Sequence, residues 1–181
     1  MKYSIINFKN ENDKKTIIKL AKRNDFHTGD IMIAIKSDIE AILNECPDIS
    51  KYPVFIQEEL KMNLILKMKK NDEEYLYNGM FIKNELNNII GFIIHKLERK
   101  TNNYIIDFLL VDKNYRNKGY GKYIVKQFLS FVPNERVVIL YVKTKDENMR
   151  TNFLFYVKLG FLISPVQTEE NYTTFYKKIK K

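Results

Sequence analysis

A chain of 181 residues, 45% hydrophobic and 29% charged, reads as one globular domain whose core needs neither disulfides nor metal. No apolar run approaches the ~20 residues of a membrane helix, the opening Met1-Lys2-Tyr3-Ser4-Ile5-Ile6-Asn7 turns polar too soon for a signal peptide, and a lone cysteine, Cys46, excludes an internal disulfide. A reducing cytoplasm is therefore the expected compartment. The net charge of +9 admits an anionic ligand or a nucleic acid. Only Arg23, Arg99, Arg116, Arg136 and Arg150 are arginines, and the lysines are scattered among many asparagines. That pattern follows AT-rich codon usage better than a basic stripe, which argues against nucleic acid.

In chain order, Lys2 to Phe8 alternates weakly and predicts a first strand. Asn10 or Asn12 caps a helix over Asp13 to Arg23, with Ile17, Leu20 and Ala21 on one face. Asn24 to Asp30 is a loop holding His27, Thr28 and Gly29. The apolar run Ile31 to Ile35 fits no one element. Ser37 precedes Asp38 and Glu40 as an N-cap with a capping box, predicting a helix to Asn44 that stops before Pro47. Pro53 opens another helix, Val54 to Lys69. Tyr75 to Ile82 and Ile89 to Leu97 form a hairpin, and Tyr104 to Val111 is a third antiparallel strand. A helix over Gly119 to Val132 ends at Pro133-Asn134. Val137 to Val142 is a buried strand, and a helix near Asn148 to Leu159 ends at Gly160, a C′ glycine. Phe161 to Val166 and Tyr172 to Ile179 make the last hairpin. The order implies an α+β fold: a mixed, mostly antiparallel sheet with helices on its faces.

The chain is organised around Val111 to Val132. A strand feeds Arg116-Asn117-Lys118-Gly119-Tyr120-Gly121, which opens an amphipathic helix bearing Tyr123, Ile124, Gln127, Phe128 and Phe131. Such a turn binds phosphate: first-turn N–H groups lack intrahelical partners and the helix dipole favours an anion. Gly119 and Gly121 let the anion approach the backbone without a Cβ in the way. A nucleoside triphosphate loop needs Gly five residues before its Gly-Lys pair and Ser or Thr after it; here Arg116 and Tyr123 stand there. The dinucleotide fingerprint needs a small residue where Ile124 stands.

The Arg-x-x-Gly-x-Gly run after a strand ending Val111-Asp112 resembles the acetyl-coenzyme A loop of the GNAT superfamily of N-acetyltransferases. A second match lies downstream: Asn148, then Tyr156-Val157-Lys158-Leu159-Gly160-Phe161, similar to that family's closing helix and its Tyr-x-x-x-Gly-Phe ending. The resemblance covers Leu76 to Ile179 well and the first 75 residues poorly. It implies a GNAT-like fold with residues 76–181 as the acetyl-coenzyme A core and residues 1–75 shaping the acceptor pocket. It further implies that Arg116, Asn117, Lys118, Gly119, Tyr120, Gly121 and Lys122 hold the pyrophosphate, chiefly through backbone N–H groups. The main chain near Leu109, Leu110 and Val111 would pair with the pantetheine arm where the strand splays, their side chains being core. Tyr156 would protonate the departing thiolate, a task suited to a phenol that is uncharged at pH 7. Asn148 corresponds to a residue that positions the pantetheine arm. It stands one residue further from the tyrosine than is usual, and Asn152 is its rival.

Three further groups carry candidate chemistry. Asp107, an acid inside an apolar strand, is either a general base with a raised pKa or a carboxylate paired to a lysine, and the second reading is favoured; the general base, Asp107 or the ordered water that many members of the resembled family use, stays open. His27 and His95 show no metal-ligand spacing, so no metal is expected. Nothing near Cys46 activates it as a nucleophile. The expected activity is acetyl transfer from acetyl-coenzyme A to a primary amine, small molecule or peptide, by direct transfer in a ternary complex. The alternative is a non-catalytic module binding an acyl-coenzyme A or a nucleic acid; the loop glycines and Tyr156 argue against it. The oligomeric state, a homodimer included, is open.

Overall fold

The computed structural model describes residues 1–26, 28–37, 42–43, 52–145, 149–165 and 171–180, with Phe55 as backbone only. His27, Cys46, Asn148 and most of the helix expected over Asp38 to Asn44 lie outside the described residues.

Strand β1 (Lys2–Ile5) leads into α1 (Glu11–Arg23), capped by Asn10, whose side chain accepts from the Asn12 N–H. The unassigned apolar run becomes most of a short helix, α2 (Gly29–Ala34), because Ile31, Met32 and Ala34 all bury against neighbours. Helix α3 (Val54–Glu74) runs five residues past its expected end, straight into β2 (Tyr75–Lys83). Strands β3 (Ile89–Glu98) and β4 (Tyr104–Val111) follow, then a 3-10 turn at Lys113–Tyr115 and α4 (Tyr120–Phe131). The chain finishes with β5 (Val137–Lys143), α5 (Met149–Lys158), a two-residue β6 (Leu162–Ile163) and β7 (Tyr172–Lys178).

The strands form one seven-stranded sheet in the order β1-β2-β3-β4-β5-β7-β6. Only β4 and β5 run parallel; the other neighbours are antiparallel. Helices cover both faces, each over its own apolar cluster. On one face Tyr120, Ile124, Val125 and Phe128 of α4 pack on Ile93, Ile106 and Val138. On the other, Ile17, Leu20 and Ala21 of α1 and Ile31 and Ala34 of α2 pack on Phe81, Phe92 and Leu110. This is the mixed, mostly antiparallel α+β sheet that the pattern predicts.

One irregularity in β4 positions everything that follows. Ile94 pairs with Phe108 and the next residue, His95, with Ile106, so Asp107 is an extra residue without a partner across the ladder. Such a bulge reverses the alternation of side chains beyond it. Tyr104, Ile106, Leu109 and Val111 join the cluster under α4, whereas Phe108 and Leu110 join the opposite one. Pairing with β5 extends only over Tyr104–Ile106 and stops at the bulge. Past Ile106, the β4 edge turned toward β5 has no strand partner among the described residues.

Candidate active site

The free edge ends in the loop. Asp112, 1% exposed, accepts at Oδ1 from the Asn114 N–H at 3.0 Å and starts the 3-10 turn. Its other oxygen pairs with Arg23 at the end of α1. Asn24 adds a second tie, its Oδ1 accepting from the Lys113 N–H at 2.7 Å. The loop is thus fastened to α1 before it reaches Arg116. Asn117 (φ 60°) and Gly119 (φ 84°) then turn the chain through left-handed backbone, which a residue with a Cβ tolerates poorly at Gly119. No side chain caps α4 at Gly119, leaving its first N–H groups for a ligand.

The side chains of this loop divide into two sets. Arg116 Nε donates to the Val111 carbonyl at 3.1 Å. Lys118 Nζ donates to the Asn114 carbonyl at 3.2 Å and lies over the Tyr115 ring. Lys122 and Asn117 are exposed. Tyr120 turns inward, buried, with its hydroxyl donating to Glu85 at 2.9 Å, so only its main chain faces the loop. A Cβ on Gly121 would stand 3.4 Å from Phe155 and 3.7 Å from Val111, a cleft between α5 and β4 that only a small residue keeps open.

Phe155 and Tyr156 are neighbours on α5. The Tyr156 ring sits edge-on to Phe155 and Phe161 and near Phe175, with centroids 4.9, 5.8 and 6.0 Å away. Burial among these rings pushes its phenol up, so the hydroxyl keeps its proton throughout the neutral range. Asn152 lies one helical turn earlier on the same face.

At its other end the free edge borders a cavity of about 330 Å³, the small end of the ~300–1,000 Å³ range for small-molecule pockets. Asp107 and Lys96 form its floor, paired at 3.0 Å and only 20% and 16% exposed. Asp107 is thus a carboxylate held by a lysine. Tyr77 is hydrogen-bonded to Asp107, and burial with that neighbouring charge pushes its phenol up. Asp30 and Lys67 pair at the rim at 3.2 Å. Among the described residues no group of His, Cys, Asp and Glu is arranged to hold a metal ion, and no helix is long and apolar enough to cross a membrane.

Residues 38–161 match the model of the acetyltransferase (GNAT) family. The chain belongs to that family. Solved structures share its fold across nearly the whole length. A GNAT-family acetyltransferase structure from Desulfovibrio desulfuricans is 11% identical, with 98% of this chain and 99% of that one covered and a TM-score of 0.62. One from Bacteroides thetaiotaomicron is 15% identical, covering 100% and 89%, at 0.56. The PaiA N-acetyltransferase of Thermoplasma acidophilum, solved in complex with coenzyme A, is 18% identical, covering 99% and 100%, at 0.54. No curated protein matches.

For this GNAT-family chain, sequence reading missed two sets of residues. The first is Arg23 and Asn24, which hold the loop from α1. The second is Tyr77 and Lys96, which sit opposite each other on β2 and β3 and complete the cavity floor. A signal existed for the second: Lys96 and Asp107 are opposite charges in two adjacent apolar strands, and burial without pairing would be costly.

Proposed function

We propose that the protein is an N-acetyltransferase that moves the acetyl group of acetyl-coenzyme A to a primary amine by direct transfer in a ternary complex. The observation that carries this reading is the unpaired β4 edge, with the loop at one end and the cavity at the other. Asp107 and Val111 are four residues apart, about 13 Å at the ordinary strand rise. That length suits a linear thioester arm lying along the strand. Both substrates then meet end to end at once, as direct transfer requires.

The residues fit the coenzyme. The loop Arg116–Gly121 offers uncapped N–H groups behind a left-handed glycine, with Arg116, Lys118 and Lys122 adding positive charge. Among the described residues the main-chain groups of Leu109 face no strand partner on the β5 side and would hold the arm, whereas the Leu110 carbonyl is turned toward Gly91 on β3. The Val111 carbonyl already accepts from Arg116, which ties the loop to the strand end instead. Acetyl-coenzyme A supplies an activated acyl carbon and a thiolate leaving group. Tyr156 holds a proton at its hydroxyl, ready for that thiolate, and Asp107 or water takes the proton of the amine. Asn152 is the described candidate for positioning the arm. Residues 76–181 form the coenzyme side, and α2 and α3 with the sheet form the acceptor side. The single cysteine supports a reducing cytoplasm as the compartment.

The test is calorimetric titration with acetyl-coenzyme A beside a thiol-release assay over a panel of primary amines. Saturable binding with release is expected. Binding without release from any amine would favour the non-catalytic module, and no binding would refute the reading.

A further inference from the structure

The cavity beside Asp107 carries its charge in compensated pairs, and this limits which amine it accepts. At the floor Lys96 Nζ lies 3.0 Å from Asp107 Oδ1, and also over the rings of Tyr75 and Tyr77, with centroids 4.5 and 5.6 Å away. At the rim Lys67 pairs with Asp30. Two carboxylates and two ammonium groups line the described part of the cavity, and their formal charges cancel.

Three classes of primary amine fare differently there. A polyamine brings several positive charges against Lys96 and Lys67, and a pocket of zero net charge offers no field to offset them. A simple monoamine can take Asp107 only by displacing Lys96, which would then be a poorly hydrated charge with only aromatic faces for company. An amine with a carboxylate on the adjacent carbon leaves every charge paired, because its ammonium meets Asp107 while its carboxylate meets Lys96. The short span between those protein groups matches the close spacing of amine and carboxylate on one carbon.

We infer that the acceptor is a free α-amino acid, its amine held by Asp107, its carboxylate by Lys96, and an apolar side chain against Ile33 and Phe108. This rests on the acetyltransferase reading above and adds the substrate class. The ammonium first gives one proton to Asp107 or water; the neutral nitrogen then bonds to the acetyl carbon, the carbon–sulfur bond breaks, the Tyr156 hydroxyl protonates the leaving sulfur, and the nitrogen's second proton leaves through solvent, which restores the phenol. The products are an N-acetyl amino acid and a free thiol. Acetylation removes the positive charge that paired with Asp107, so the product, now an anion beside that carboxylate, is pushed out.

Binding separates this inference from the reading beneath it. The full chain, saturated with coenzyme A, is titrated with leucine, with leucinamide, which keeps the amine and lacks the carboxylate, and with spermidine. Leucine should bind about tenfold or more tighter than either. Lys96→Met keeps the stem and removes the charge; in a variant still folded by circular dichroism it should abolish the preference over leucinamide, and Lys96→Arg should retain it. Leucinamide or spermidine binding as well as leucine, a preference that survives Lys96→Met, or no binding of any of the three would overturn the inference. Acetylation of spermidine alone would overturn it and leave the acetyltransferase reading standing. Lys96-dependent leucine binding without thiol release would support the inference and refute that reading.

Discussion

At the Val111 end of the free β4 edge the site is mostly main chain and contiguous: a strand end, a turn, two glycines and the first turn of a helix. At the Asp107 end it is side chains drawn from α2, α3 and strands across the sheet, with the nearest charges arriving from Lys96 and Lys67. Backbone N–H groups recognise a phosphate whatever side chains surround them, so the first end tolerates almost any neighbours that keep the turn. On the proposed reading the second end meets the acceptor through side chains, and their combination would set specificity. A GNAT-family chain could then keep its loop while its acceptor pocket changes residue by residue.

The largest expected effect breaks the first end alone. Gly121→Glu places bulk and a negative charge in the cleft between Phe155 and Val111, against the phosphates. Acetyl-coenzyme A affinity by calorimetry should fall at least about a hundredfold, the scale of a like charge at close range. Circular dichroism should show an intact fold. A folded variant with unchanged affinity would remove the loop from the coenzyme site and with it the contrast between the two ends.

Tyr156→Phe tests the acid proposed on α5. The ring and its packing on Phe161 and Phe175 persist, and only the proton is lost. Single-turnover rates should drop about ten- to a thousandfold, with the coenzyme dissociation constant nearly unchanged. On the proposed reading the protonated phenol is the working form, and burial raises its pKa, so activity should not decline on its account until pH exceeds the ordinary tyrosine range. A variant as fast as the parent would make Tyr156 a packing residue.

A smaller effect concerns His95, which precedes Lys96 on β3 and packs against Phe128 of α4, 4.4 Å between centroids. Its Nδ1 is buried without a partner, and desolvation lowers its pKa to about 4. The unfolded chain, with the ordinary value near 6.5, takes up the proton first as pH falls. Stability due to this group is thus full above about 6.5 and is lost progressively down to about 4, by at most ~1.4 kcal/mol per pH unit. His95→Leu should flatten that part of the urea-unfolding profile against pH. An unchanged acid slope would show that His95 does not carry it.

Much of the fold was legible because its elements are long and strongly patterned: β4 matches its expected bounds, and α4 and β5 match within a residue. The turn into α4 was legible for the same local reason, since a glycine pair after a strand marks a sharp turn. The bulge at Asp107 was not. Tyr104 to Val111 is apolar almost throughout, so a reversal of facing leaves no trace in the pattern, and only the pairing with β3 reveals it. That Asp107 pairs with a lysine is readable from the cost of burying it alone, but which partners it meets, Lys96 and Tyr77, is set by the bulge, because those residues are distant in sequence and meet only through register. The helix α2 escaped for another reason: Ile31 to Ile35 is too short and too uniformly apolar to show a period.

On the proposed reading the coenzyme lies along the free β4 edge and ends in the loop. Titrating isotopically labelled protein with acetyl-coenzyme A and following backbone amide shifts tests it most directly. The account predicts the largest shifts on β4 beyond the bulge, in residues 107–111, and at 117–122, with small changes on β1 and at the sheet edge made by β6. Shifts concentrated elsewhere, with both segments undisturbed at saturation, would contradict it.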